Sequence, residues 1–207
     1  MDNPDIIYWG LGGEALYPGY LRSGAGYGEY SGNAVFHFQA WLERKYGSIS
    51  SLNAAWGTLL GSFSEVTAPR QQELSRRFSD WLDFSFLAMA ERMSWHYAAV
   101  RSVDPDRPTV TANHGNIFWA DAYAKLGADF PQYADASDGF EMGQIMEGDD
   151  PGAFNLWYAS ALAGLGKIGA PARLAYKFPD PKARGGSKSY TPAAARRYCM
   201  EAFGSGW

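Results

Sequence analysis

The spacing of hydrophobic positions along the chain predicts an alternation of strands and helices. Residues 6–11 (IIYWGL) consist mostly of good strand formers and lead into glycines, which is typical of a buried strand. Residues 33–46 repeat apolar side chains at helical spacing and stop at Gly47, which predicts an amphipathic helix. Two further helices are predicted over 50–56, with a serine cap, and over 70–103, which ends before Asp-Pro.

The same alternation continues through the second half of the chain. Strands are predicted at 108–113, 136–142 and 172–178, and helices near 119–126, 152–166 and 191–203. Strand and helix therefore alternate four times, which is typical of a parallel sheet built from βα units, either doubly wound or closed as a barrel. The phosphate-binding motifs GxGxxG and GxxxxGK[ST] are absent from the sequence. We expect one α/β domain over residues 1–207.

Polar side chains follow the strand-like segments at the points where these segments end. Glu14, the pair Asn113 and His114, Glu141, and Lys177 all occupy such positions. Both barrels and doubly wound sheets bind ligands at the carboxyl ends of their strands. These residues are therefore candidates for a functional site, although Asn113 and His114 beside a glycine would also suit a loop turn.

Two of these candidates are carboxylic acids with apolar neighbours. Hydrolysis of a glycosidic bond typically uses two carboxyl groups, one of which is protonated and donates to the leaving oxygen. Apolar surroundings would raise the pKa of Glu14 and suit it to that role, the alternative being a surface glutamate in a loop. Glu141 is the candidate for the second carboxylate, ahead of Asp138 and Glu147, unless it only orders the loop after it.

Composition favours a carbohydrate ligand and argues against several other partners. Aromatic residues make up 16 % of the chain, and Tyr17 and Trp119 lie in predicted loops, where aromatic faces can stack on sugar rings. The net charge of −4 and the scattered basic residues argue against nucleic acid. Cys199 is the single cysteine, which excludes an internal disulfide and a cysteine-based zinc site. We expect no metal and no cofactor.

The apolar segments are too short to predict a membrane protein. No run approaches the roughly 18 apolar residues of a transmembrane helix. The first twenty residues lack the basic start and apolar stretch of a signal peptide. We therefore expect a cytoplasmic protein, or a secreted one if an upstream leader is missing from the sequence.

Residues 36–66 (FHFQAWLERKYGSISSLNAAWGTLLGSFSEV) carry a more specific pattern. They resemble the segment after the fourth barrel strand in glycoside hydrolase family 42, the β-galactosidases of the clan with (β/α)8 barrels. The resemblance covers residues 5–118 and includes the long helix and the strand that follows it. Ten residues over eighteen positions match the pattern of the family: Trp41, Leu42, Lys45, Tyr46, Gly47, Leu52, Asn53, Trp56, Gly57 and Thr58.

This resemblance implies a role for Glu14 and leaves the second carboxylate open. Glu14 corresponds to the acid/base glutamate at the end of strand four, and the sequence around it is also similar to the β-amylase motif GELRYPSY, whose glutamate is the general acid. Glu141 in GFEMGQ is similar to the context of the β-amylase base and implies an inverting mechanism. At the position of the family's nucleophile, the topology places Lys177. The resemblance therefore implies either a glycosidase that acts on β-galactoside-type or related oligosaccharides, or a non-catalytic carbohydrate-binding relative.

The predicted strands correspond to strands four to seven of the family's barrel. The fold class expected is thus a partial (β/α) barrel of four to five βα units. Such a chain would be a fragment of a longer enzyme, a half-barrel completed by self-association as a dimer, or a rearranged fold, and we expect self-association. The residues expected to line the sugar site are Asn113, His114, Tyr17, Trp119, Tyr176 and Lys177.

Overall fold

The computed structural model describes residues 6–11, 30–114, 132, 134–144 and 163–174. Within these residues the chain forms four β-strands and three α-helices in the order β, α, α, α, β, β, β. The longest of the helices has 28 residues, and no helix among the described residues is both long and apolar enough to cross a membrane.

The chain divides into two compact units that we describe separately. The helical unit comprises residues 16–92 and 116–133, and the sheet unit comprises residues 1–15, 93–115 and 134–207. The expectation of one domain over residues 1–207 stays a prediction beside this division.

Three helices, with a short 3₁₀ turn at Phe63–Glu65, build the helical unit. Helix α1 spans Gly32–Tyr46 and helix α2 spans Ile49–Trp56, which confirms both predicted helices. Helix α3 spans Arg76–Val103, and its first 17 residues belong to this unit. It begins six residues later than predicted because the Ser75 hydroxyl accepts a hydrogen bond from the Phe78 amide at 3.1 Å. This is the side-chain bond that starts a helix.

Side-chain caps and glycines set the ends of the first two helices. The Ser31 hydroxyl accepts a hydrogen bond from the Ala34 amide, and the Ser48 hydroxyl accepts one from the Ser51 amide. The cap of α2 is therefore Ser48 rather than Ser50. Both helices end at a glycine in the left-handed region, with φ of 72° at Gly47 and 69° at Gly57. Glycine is favoured there because a Cβ would clash with the backbone.

Aromatic side chains dominate the core of the helical unit. Phe38, Leu42, Leu52, Val66 and Trp81 are buried together. The rings of Phe38 and Trp81 meet edge to face with their centroids 4.9 Å apart. Burying a side chain of this size contributes about 1.5–3 kcal/mol, so this cluster is the main source of stability for the three helices.

The sheet unit contains a four-stranded parallel sheet. Strands β1 (Trp9–Gly10), β2 (Thr109–His114), β3 (Gly139–Gln144) and β4 (Ile168–Leu174) lie side by side in chain order. All three strand pairs are parallel, as the predicted βα alternation requires.

Three strand boundaries differ from the prediction because backbone pairing sets them. Strand β1 has only two residues instead of six. Strand β3 begins three residues later than predicted and β4 four residues earlier. The β4 segment 168–171 (IGAP) looks unlike a strand in isolation, but the Ile168 amide donates to the Asp138 carbonyl at 3.2 Å and so joins it to β3. A register shift between Met142 and Gly143 lies opposite Pro171, which cannot donate to a neighbouring strand.

Candidate active site

The carboxyl ends of the parallel strands lie along one edge of the described sheet. We refer to this edge, formed by the ends of β1 to β4 at Gly10, His114, Gln144 and Leu174, as the carboxyl edge. Asn113 and His114 are the last two residues of β2, so the backbone places both of them at the carboxyl edge. Ligands of α/β sheets bind at this edge.

Glu141 lies inside a strand rather than at its end, which corrects the prediction from the sequence. It is the third residue of β3, and its backbone pairs with Ala112 on one side and Ala170 on the other. Three residues separate it from Gln144, which is about 10 Å of strand. The pairing of β3 with β2 sets the position of Glu141 in the sheet. Gly139 aligns with Val110, and each following residue of β3 aligns with the next residue of β2 as far as Gly143 and His114.

The remaining predicted site residues lie outside the described residues. They are Glu14, Tyr17, Trp119, Tyr176 and Lys177, together with Glu147 as an alternative carboxylate. The predicted strand at 172–178 overlaps β4 only over its first three residues. The roles of these side chains therefore stay predictions.

The opposite edge of the sheet, at the amino ends of the strands, is occupied by hydrogen bonds within the chain. Asp138 precedes β3, and its carboxylate accepts from the Tyr97 hydroxyl at 2.9 Å and from the Thr109 amide at 2.8 Å. Burial raises the pKa of Tyr97, and the hydrogen bond to Asp138 raises it further. Lys167 donates to the Ser137 carbonyl at 2.8 Å beside them. Asp138 is therefore a structural residue at the amino edge and not the second carboxylate of a site at the carboxyl edge.

In the helical unit, three residues of the family pattern, Lys45, Tyr46 and Trp56, contact one buried acid. Asp80 is fully buried in α3, where three side chains donate hydrogen bonds to its carboxylate and a fourth, Arg76, forms an ion pair with it. Lys45 and Arg76 contact Oδ1 at 2.9 and 3.2 Å. Tyr46 and Trp56 donate to Oδ2 at 2.6 and 2.7 Å. A buried carboxylate is stable only when it is paired and hydrogen-bonded in this way.

Lys45 connects this cluster to the solvent side of α1. Its ammonium group lies 4.4 Å from the centroid of the Trp41 ring and also contacts Asp83 at 3.2 Å. Burial lowers the pKa of Lys45, but the hydrogen bonds and negative charges of Asp80 and Asp83 outweigh it, so the pKa lies above its ordinary value. Lys45 is therefore held in its charged form by the cluster.

Asn53 organises the loop after α2 with three hydrogen bonds. Its side-chain amide donates to the Leu60 carbonyl at 2.8 Å. Its side-chain oxygen accepts from the Leu60 amide at 2.9 Å and from the Thr58 hydroxyl at 2.8 Å. The loop reverses direction at Gly57, so Asn53, Gly57 and Thr58 of the family pattern act together to close α2.

Each residue of the family pattern therefore has a structural role in the helical unit. Leu42 and Leu52 belong to the core, and Gly47 and Gly57 end their helices. The sequence analysis did not single out Asp80, the acid that joins the others. The sequence feature that could have identified Asp80 is its position between the apolar residues Phe78 and Trp81 of a predicted helix. A charged residue in such a position indicates a buried ion pair.

No group of three or more His, Cys, Asp or Glu side chains that could hold a metal occurs among the residues that the structure describes. This statement covers the Asp80 cluster and the amino edge of the sheet. Their donors, Lys45, Arg76 and Tyr97, are groups that pair with carboxylates.

Comparison with known proteins identifies the family. The family model of glycoside hydrolase family 42, described as β-galactosidase, matches residues 2–139, two thirds of the chain. The chain belongs to glycoside hydrolase family 42. The match includes the whole described part of the helical unit from Tyr30 to Arg92, and also Glu14, Asn113 and His114. It ends at Gly139, the first residue of β3.

Curated relatives of this family 42 chain include two kinds of enzyme. A β-galactosidase from Arthrobacter sp. is 37 % identical over 93 residues, which are 41 % of this chain and 13 % of the relative. A thermophilic β-amylase from Thermoanaerobacterium thermosulfurigenes is 40 % identical over 70 residues, 30 % of this chain and 13 % of the relative. The similarity to both families that the sequence around Glu14 and residues 36–66 predicts is thus confirmed.

Solved structures of the same two enzyme classes share the fold. The β-galactosidase from Bacillus circulans sp. alkalophilus superposes with a TM-score of 0.73 at 21 % identity, over 99 % of this chain and 30 % of that one. The catalytic domain of β-amylase from Paenibacillus polymyxa gives a TM-score of 0.69 at 16 % identity, over 94 % of this chain and 53 % of that one. The family 42 chain therefore has the fold of part of a (β/α)8 barrel. It spans about an eighth of the length of the curated relatives and about a third of the first solved structure.

Proposed function

We propose that this family 42 chain is a glycoside hydrolase that acts on β-galactoside-type or related oligosaccharides through carboxylate acid/base catalysis. The observation that carries the proposal is the position of Asn113 and His114 at the carboxyl end of β2, next to β1. Glu14 follows Leu11, which still bonds to β2, by only three residues. The family match, which includes Glu14, and the names of the β-galactosidase relatives support the same class of substrate.

In this proposal Glu14 is the general acid/base and Glu141 is the second carboxylate. Glu14 protonates the glycosidic oxygen as the bond to the sugar breaks. Glu141 activates the water that attacks from the opposite face, which requires the carboxyl groups to lie about 6.5–9.5 Å apart. The support for Glu141 is weaker than for Glu14, because it lies inside β3 and beyond the residues that match the family.

The other proposed residues bind the sugar. Asn113 and His114 hydrogen-bond its hydroxyl groups, and Tyr17, Trp119 and Tyr176 stack on its apolar faces. Lys177 contributes a hydrogen-bond donor at the same edge. These roles are supported by sequence position relative to β1, β2 and β4.

Replacing Glu14 by glutamine tests the assignment of the general acid. We expect E14Q to lower the turnover of unactivated β-galactosides by about 10²–10⁴-fold, since the amide cannot donate a proton, while sugar binding measured by calorimetry survives. The control is E43Q, which changes an exposed glutamate of α1 in the same way. Equal turnover of E14Q and wild type would remove Glu14 from the mechanism.

The second candidate function is a non-catalytic carbohydrate-binding protein. The presence of Lys177 where the topology of the family places its nucleophile favours it, because a lysine cannot replace that carboxylate. Saturable binding of galactosides without hydrolysis of aryl-galactosides or other aryl-glycosides would establish this candidate. A chain with neither binding nor hydrolysis would be a barrel fragment without activity of its own.

We also propose that the chain self-associates through the edges of its sheet. In the described sheet β1 and β4 each pair with one neighbour. The backbone amides of Trp9 and Leu11 donate hydrogen bonds on the β2 side of β1. Because successive backbone amides of a strand point to alternate sides, the Gly10 amide is directed away from β2. Pro171 limits pairing at the β4 edge, which leaves β1 as the more open one. Light scattering at micromolar concentration would contradict the proposal if it gave the mass of a monomer.

A further inference from the structure

We propose that Asp104 and Arg107 are positioning residues that hold β1 in the sheet. With the indole of Trp9 they form a side-chain cluster that we call the β1 clasp. The clasp acts on β1 itself, and its effect on the segment that carries Glu14 rests on the proposed function.

The backbone pairing of β1 is too short to hold the strand firmly. Only two residues pair with β2, Trp9 with Thr109 and Gly10 with Val110. The main-chain hydrogen bonds at the two ends of this pairing run from the Trp9 amide to the Pro108 carbonyl at 2.9 Å and from the Leu11 amide to the Val110 carbonyl at 2.8 Å. Strands in globular proteins usually have about five or six residues, so a strand of two at a sheet edge needs other contacts.

The clasp supplies these contacts through one nearly buried carboxylate. Asp104 follows α3, and its side chain is only 9 % exposed. Its Oδ2 accepts from the Trp9 indole at 3.0 Å and from the Arg107 guanidinium at 2.6 Å. Arg107 also donates through Nε to the Ile6 carbonyl at 3.1 Å, so Asp104 and Arg107 contact β1 at Trp9 and the segment before it at Ile6.

The turn that carries the clasp is itself fixed on both sides. The Arg107 amide donates to Asp104 Oδ1 at 3.3 Å, which closes the turn between α3 and β2. Arg101 of α3 donates to the Arg107 carbonyl at 3.1 Å. The clasp therefore joins β1 to a preformed turn.

Asp104 keeps its charge under all ordinary conditions. The hydrogen bonds from Trp9 and Arg107 lower the pKa of Asp104 to about 2 from its ordinary value of 3.8. Because the folded pKa is the lower one, the stabilising contribution is complete above pH 3.8 and is lost as the pH falls towards 2. The charged side chain in contact with Asp104 is that of Arg107, at 2.6 Å.

Loss of the clasp would shift the segment that carries Glu14, the proposed catalytic glutamate. Leu11 and Glu14 are separated by three residues, which span at most about 10 Å of chain. A shift of about 1 Å in a catalytic group can cost about 10²-fold in rate. On the proposed function, Asp104 and Arg107 therefore affect catalysis without touching the substrate.

Hydrogen exchange of the full chain tests the clasp without any need for activity. In D104A we expect the Trp9 and Leu11 amides to exchange at least tenfold faster than in wild type, while the Leu42 and Leu52 amides of the helical unit are unchanged. The control is D106N, an exposed acid on the same turn, which should leave all four amides unchanged. Unchanged exchange at Trp9 and Leu11 in D104A would overturn the proposal.

A second variant keeps the test decisive if D104A does not fold. W9F removes the indole donor and keeps a smaller aromatic ring at this position, and we expect faster exchange at Leu11 there too. For the link to Glu14, D104N should lower kcat with little change in KM. If the wild type is active and D104N keeps its kcat despite faster exchange, the positioning role is wrong. If the wild type is inactive, the proposed function and the link to Glu14 fail, and exchange alone decides whether the clasp holds β1.

Discussion

The two units of the chain relate differently to the family they come from. The helical unit contains all ten residues of the family pattern, and each one packs, caps or hydrogen-bonds within the unit. In the sheet unit, the backbone of Asn113 and His114 lies at the carboxyl edge and that of Glu141 lies inside β3, and the catalytic and binding roles of these residues remain proposals. The ten-residue family pattern thus lies in a region that builds structure, while the family match over residues 2–139 also includes part of the sheet unit.

The family pattern and the proposed catalytic residues lie in different parts of the chain, so a match to the pattern does not by itself establish catalysis. A chain could keep the Asp80 cluster and the Asn53 loop, and so keep the fold, after losing a catalytic carboxylate. The family match ends at Gly139, before Glu141 and Lys177, so it supports neither of these two residues as a counterpart of the family's catalytic residues. Stability experiments on the helical unit and activity experiments on the carboxyl edge should therefore respond to different mutations.

The largest stability effect is expected from removal of the acid at the centre of the helical unit. D80A removes the acceptor of Tyr46 and Trp56 and the nearer of the two carboxylates that pair with Lys45, and losing one partner of a buried ion pair costs about 3–5 kcal/mol. Urea denaturation followed by tryptophan fluorescence measures this loss. The matched control is D83N, whose exposed side chain contacts only Lys45 and should contribute less than about 1 kcal/mol. Equal effects of the two variants would mean that the cluster does not hold the unit together.

A smaller effect is expected at the end of α1. G47A places a Cβ on a residue with φ of 72°, which costs about 1–2 kcal/mol in the left-handed region. The control is G32A, at the start of the same helix, where an added Cβ meets no atom within 4 Å and the cost should be close to zero. Thermal unfolding of both variants separates the backbone effect from any effect of the added methyl group. A loss at G32A as large as at G47A would rule out the left-handed conformation as the cause.

Elements with clear periodicity were predicted closely from the sequence. Helices α1 and α2 and strand β2 lie within one residue of their predicted bounds, because apolar spacing, serine caps and glycine ends all agree there. The start of α3 was wrong because residues 70–75 continue a helical pattern that the Ser75 cap interrupts. The start of β4 was wrong because glycine and proline in IGAP argue against a strand, and pairing with β3 overrides that local preference.

The candidate site was less predictable than the fold. The position of Glu141 depends on how β3 aligns with β2, and register is a property of the pair that neither strand shows alone. Asp80, Asp104 and Asp138 were hard to tell from surface acids because each accepts from at least one donor that lies 24 to 95 residues away. Long-range pairing of this kind leaves no local periodicity to detect.

The sequence separation between hydrogen-bonded residues also predicts the order in which parts of the chain fold. In the helical unit, Lys45 bonds to Asp80 and Tyr30 to Pro69 across 35 and 39 residues. In the β1 clasp, Trp9 and Ile6 bond to partners 95 and 101 residues further on. Short loops close at a lower entropy cost, so local contacts form sooner. During synthesis, at about 5–20 residues per second, helices α1 and α2 would be made before Arg107, the residue that captures β1. The N-terminal strand is thus synthesised first but would join the structure only after these helices.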